Sequence, residues 1–153
     1  MDEEAGIYAR ESNYLDRYVQ AGVAGERVLS VSFPTGPDDG AGDTHPLLDR
    51  IEEYLQGAKE NFSDVSVALT MPTDQREVLE TLREIPYGEQ VSVEKLTGMV
   101  PGLRASESED RNLVRTALDA NPLPLILPDH RVRDGPSGAP PAVEQKLRVL
   151  EGL

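Results

Sequence analysis

DANPLPLILPDHRV, residues 119–132, is the stretch on which the fold turns. Asn121-Pro122 ends a helical pattern. Leu125–Leu127 is then predicted to be a short buried strand, which Pro128 stops. An acid, an imidazole and a guanidinium follow in a row: Asp129, His130 and Arg131. Residues just beyond a strand are well placed for chemistry. The pattern alone leaves a question open. Asp129-His130 is either an acid–base pair or the remainder of a site whose reactive atom has been exchanged.

Working outward, RVLSVSF (27–33) alternates and predicts a strand, as does SVALT (66–70). Between them PTGPDDGAGDTHP (34–46) is a loop, with Thr44 placed to cap a helix and His45 read as a loop residue. That helix carries Leu47, Leu48, Ile51, Tyr54 and Leu55 at helical spacing and closes at Gly57. Further helices are predicted from Thr73 to Glu84, Val93 to Met99 and Asp110 to Ala120. A last one comes from AVEQKLRVLEGL, with Val143, Leu147 and Leu150 inward. PYGE (86–89) and RDGPSGAPP (133–141) are turn and loop. Two helices around a short linker fit a helix-turn-helix, but scaffold helices give the same pattern.

Composition narrows the function classes. The chain has 153 residues, 38% hydrophobic, and no cysteine. Disulfides, thiolate metal sites and a cysteine nucleophile are therefore excluded. His45 and His130 stand far apart, so no metal site and no cofactor are expected. The start, MDEEAG, has neither a basic region nor an apolar core, and no apolar run nears the roughly 18 residues of a membrane span. A soluble, cytoplasmic monomer is expected. Net charge is −13 with scarce lysine, which suits concentrated salt or an ordinary acidic bacterial protein. Residues 1–75 hold 5 Lys/Arg against 15 Asp/Glu, and residues 76–153 hold 10 against 13. A polyanion should meet the second half.

EIPYGEQVS (84–92), DANPLPLILPDHRV (119–132) and AVEQKLRVL (142–150), in that order, resemble the alkylguanine-DNA alkyltransferases, also called methylated-DNA–protein-cysteine methyltransferases. There the pieces read I-P-Y-G-E, N-P and P-C-H-R-V, then a Gly-rich loop and a closing helix. The resemblance implies an α/β (α+β) fold: a ribonuclease H-like domain over 1–70, then a mainly helical helix-turn-helix domain over 71–153. It implies minor-groove binding, a guanine flipped into a pocket, and a cysteine, activated by the adjacent histidine and a glutamate, that keeps the alkyl group.

Several functional positions depart from the family. Asp129 replaces the acceptor cysteine, Val93 the tyrosine after the motif serine, Asn112 the arginine that fills the vacated stack, and Arg115 a small glycine of the recognition helix. The pocket loop is shortened to 133–141, and Glu151 stands about two residues early for the family's terminal glutamate. By this resemblance the catalytic positions are Asp129 and His130. The DNA-binding candidates are Tyr87, Gly88, Arg111, Asn112, Arg115, Asn121 and Arg131, with Arg104 and Arg133 as further phosphate contacts. Arg111 and Arg115 share a helix face, where Glu107, Glu109 and Asp110 are potential partners. Asp129 is open to three roles: base, pocket contact or structural acid. A carboxylate is a weak nucleophile toward an alkyl ether carbon.

The expected function is therefore alkyltransferase-like. The chain would bind double-stranded DNA with an alkylated or flipped base, without transfer, and hand the lesion to a repair-pathway protein. The alternatives are an altered enzyme using Asp129 and His130, and an interaction protein that no longer binds DNA.

Overall fold

The computed structural model describes residues 6–153. Three strands, β1 (Gly6–Ser12), β2 (Arg17–Ala24) and β3 (Arg27–Ser32), form an antiparallel sheet in the order β1-β2-β3. Val19, Ala21 and Val23 alternate inward along β2, and Val28 and Val31 join them from β3. Gly25, at φ 62°, allows the two-residue turn between β2 and β3. Only β3 is expected from sequence. β1 and β2 are additions made by the fold.

Helix α1 (Pro46–Leu55) buries Leu47, Leu48, Ile51, Tyr54 and Leu55, as their spacing requires. Its N-cap is His45, not Thr44: the His45 Nδ1 accepts from the Leu47 N–H at 3.0 Å. Proline at N1 donates nothing, so the first free amide to satisfy lies at Leu47, within reach of the imidazole. Ser66–Thr70 is not an extended strand either. It meets β3 at one parallel bridge, Val28 with Val67.

The second half packs α2 (Thr73–Thr81, continued by a 3-10 turn to Glu84), α3 (Val93–Met99), α4 (Ser108–Asp119) and α5 (Pro141–Glu151). Ser92 caps α3 by accepting from the Lys95 N–H at 3.0 Å. Val143 and Leu147 of α5 are buried, whereas Leu150 is only half-buried. One continuous apolar cluster runs from Leu15 to Leu147. The two halves are also tied by polar bonds. Val31 N–H donates to Pro122 O at 2.9 Å, the Tyr14 hydroxyl to Lys146 O at 2.6 Å, and Lys146 Nζ to Tyr14 O at 2.9 Å.

Leu125–Leu127 is not a strand. Leu125 takes φ 82°, and Leu127 N–H turns back to Leu123 O at 2.8 Å. Leu123, Leu125, Ile126 and Leu127 are all buried. A run enclosed on every side carries no inside–outside alternation, so its apolar character does not specify a pleat. A left-handed leucine costs roughly 1–2 kcal/mol, and burying its side chain offsets that. Pro128 then leads into a 3-10 turn, Asp129–Arg131. The knot places three ionisable side chains in the interior, at 1%, 0% and 2% exposure.

Candidate functional site

Glu151, in the last turn of α5, is the hub of a buried network. Its Oε2 accepts from His130 Nε2 at 2.7 Å and from the Tyr54 hydroxyl. Its Oε1 accepts from Arg131 Nε at 2.9 Å and from the Gly88 N–H at 3.0 Å. Arg131 also donates to Asn61 Oδ1 at 3.0 Å and to Ile85 O at 2.7 Å. Five chain segments converge here. Burial alone would raise the Glu151 pKa, but hydrogen bonds from His130 and Arg131 prevail and hold it at about 2. Tyr54 shifts the other way, well above the phenol range, through burial and the neighbouring Glu151 charge. With His130 Nε2 committed to Glu151, its Nδ1 has no partner among the described residues.

Tyr87 and Gly88 belong to this structure. The Tyr87 N–H donates to Asn61 Oδ1 at 2.9 Å, its ring meets Tyr54 edge-on at 6.0 Å, and the Arg131 guanidinium lies 5.8 Å from its centre. Gly88 takes φ 81°, which the turn requires.

Asp129 faces away from that hub. Its Oδ1 accepts from Ser137 Oγ at 2.6 Å, and its Oδ2 from Asn121 Nδ2 at 2.9 Å and the Gly138 N–H at 2.8 Å. Asn121 also donates to Leu127 O at 3.0 Å and accepts from Leu123 N–H at 2.9 Å, which holds the leucine knot. Burial raises the Asp129 pKa, and the three donors oppose the rise. Asp129 and His130 are thus adjacent in sequence but serve different networks.

Arg111, Asn112 and Arg115 lie on α4. Arg111 is half-buried and donates to Ala105 O at 2.6 Å, so part of its fork braces the linker before α4. Asn112 and Arg115 are exposed, as are Arg104 and Arg133. Among the described residues none of these arginines forms an ion pair with Glu107, Glu109 or Asp110. The described residues hold no group of three acids or histidines arranged for a metal ion.

Residues 73–151 match the family described as the 6-O-methylguanine DNA methyltransferase DNA-binding domain. A methylated-DNA–protein-cysteine methyltransferase of Methanopyrus kandleri is 34% identical over 129 residues, spanning 81% of this chain and 93% of that protein. The chain belongs to this family. A second relative, from Metallosphaera sedula, carries the same name and is 25% identical over 82% of this chain and 80% of its own. The fold is shared with OGT of Mycobacterium tuberculosis in complex with DNA, at TM-score 0.70 and 21% identity over 97% of this chain and 91% of that one. The methyltransferase of Pyrococcus kodakaraensis superposes at TM-score 0.69 with 17% identity, covering 97% and 99%.

For a family named after an acceptor cysteine, the chain holds none. His130 and Glu151 are nonetheless in contact, although Glu151 stands early in the sequence for the glutamate that the resemblance implies. Sequence reading missed Tyr54, Asn61, Ser137 and Gly138. Tyr54 carries only a core-spacing signal, because its hydroxyl is invisible to periodicity. Ser137-Gly138 reads as ordinary loop composition.

Proposed function

We propose that this chain is a non-transferring member of the alkyltransferase family that binds duplex DNA. The observation that carries this is that Asp129, which the resemblance sets at the acceptor position, is buried with three donors on its carboxylate. A thiolate there would attack an alkyl carbon. A carboxylate already engaged by three donors is a far weaker nucleophile. In this reading residues 1–70 form the supporting domain and 71–153 the DNA-contacting one. α3 and α4 are its helix-turn-helix, with Asn112 and Arg115 presented to the duplex and Arg104 and Arg133 to phosphates. His130, Arg131, Tyr87 and Gly88 hold the scaffold through Glu151.

The net charge of −13 favours a second reading, an interaction protein that no longer binds DNA. One experiment separates the readings. The protein is titrated with a duplex carrying one radiolabelled O6-methylguanine, at low and at molar salt. Binding with no label on the protein supports the proposal. Label on the protein, or release of methanol, overturns the absence of transfer. No binding at either salt favours the second reading.

A further inference from the structure

A base that reacts in this family's manner leaves the stack and brings its alkyl group to the acceptor position. Here that position is covered by the chain itself. Asp129 is 1% exposed, and all three donors on its carboxylate are protein groups, two of them from Ser137 and Gly138. The loop sits close against the fold at two glycines. A Cβ built on Gly138 would lie 2.1 Å from Asn121 O, and one on Gly135 would lie 2.7 Å from Leu118 Cδ1. Its near end is pinned as well, where Asp134 Oδ1 accepts from the Val93 N–H at 2.7 Å, at the start of α3. Two hollows lie elsewhere, one of about 160 Å³ between β1–β2 and α1 and a more open one of about 500 Å³ along α3, and Asp129 lines neither.

We propose that residues 133–140, latched to Asp129, occupy the place of an extrahelical base, so that this chain holds DNA with its bases stacked. The acceptor position has become the anchor of its own cover. Asp129 suits this where cysteine would not: two carboxylate oxygens accept three hydrogen bonds, and a thiol is a weak acceptor. The glycines suit it too, since a side chain at 135 or 138 would lift the loop from α4 and from Asn121. The other ionisable groups about Asp129 are His130, Glu144 and, through its bond to the His130 carbonyl, Arg148. None of them donates to the carboxylate, so the latch is Asn121, Ser137 and Gly138. The ligand class that follows is intact duplex, whose shape and phosphates are read without opening a base pair.

The stacked-DNA part rests on the reading that this chain binds duplex DNA; the closed loop does not. Three measurements test the proposal. A duplex with one 2-aminopurine reports unstacking by a rise in emission. Binding followed by anisotropy with unchanged emission is expected, and a several-fold rise at saturation overturns the proposal. Free O6-methylguanine, titrated by equilibrium dialysis, needs no DNA. No saturable binding to the wild type is expected, and one-to-one binding overturns the closed site. Finally, hydrogen exchange follows the Gly138 amide. It is expected to be protected in the wild type and in Asp129→Asn, and to exchange at least about tenfold faster in Asp129→Ala. Equal exchange in all three overturns the latch. If no duplex is bound, the DNA-binding reading and its stacked-DNA corollary fall, and the last two measurements still decide the loop.

Discussion

Glu151 and Arg131 meet side by side in the interior: Oε1 accepts from Nε at 2.9 Å and Oε2 from an Nη nitrogen at 3.1 Å, with side chains 0% and 3% exposed. The pair joins the end of α5 to the turn carrying Asp129 and His130. Its geometry is a two-point fork, which lysine cannot supply.

Glu151→Ala leaves the Arg131 charge buried without its carboxylate. Loss of about 3–5 kcal/mol in unfolding free energy is expected, measured by urea titration at pH 7. Arg131→Lys should also destabilise, because one ammonium cannot reach Glu151, Asn61 and Ile85 together. Wild-type stability in both variants would show the network to be incidental.

The two buried acids should give opposite pH dependences. Glu151 is held at about 2 in the fold against 4.5 ordinarily. Its depressed value adds stability that is complete above the ordinary range and lost as pH falls from about 5 toward 2, amounting to about 3 kcal/mol. Asp129 is raised, so the fold favours its protonated form. Stability from that group is present below the ordinary carboxylate range and declines as pH rises through the raised value. Asp129→Asn keeps every contact, with Oδ1 accepting from Asn121 and Gly138 and Nδ2 donating to Ser137. Its urea midpoint at pH 7 should exceed the wild type's, while that of Glu151→Gln should fall below it.

Gly138→Ala puts a methyl group 2.1 Å from the Asn121 carbonyl oxygen, a backbone atom that cannot swing away. Destabilisation by about 1–3 kcal/mol is expected from this overpacking, read from the thermal midpoint. The same substitution at Gly36, where a Cβ meets nothing within 4 Å, serves as the control and should change little.

Arg115→Ala should weaken duplex binding about equally across sequences and reduce the slope of log affinity against log salt by about 1. Arg111→Ala should change that slope less, because part of its guanidinium is spent on Ala105 O. It should instead loosen the linker before α4. Anisotropy titrations at several salt concentrations separate the two effects.

The helices were legible because burial on one face imposes a period that the sequence must carry. Val78, Leu79 and Leu82 announce α2, and Val114, Ala117 and Leu118 announce α4. β1 and β2 were not, although Val19, Ala21 and Val23 do alternate. Alanine and glycine dilute that signal, since both are poor strand formers, and pairing with β3 supplies what propensity lacks. The Leu125–Leu127 strand failed for a related reason, as an apolar run says how deep a segment lies and not how it is bent. At the site, PDHRV marked the place but not the partners. Asp129 and His130 are neighbours in the chain, yet one answers to Ser137 and Gly138 and the other to Glu151.

By itself, then, the sequence determined the family, through the order of PYGE, NP and PDHRV, and it determined that no thiol can accept an alkyl group. Only the tertiary structure decided that Glu151 meets His130 and that Ser137 and Gly138 lie on Asp129. Hydrogen-bond partners are chosen by proximity in space, which neighbours in the chain need not share. A carboxylate that the chain places beside an imidazole is turned by the fold toward a different set of donors.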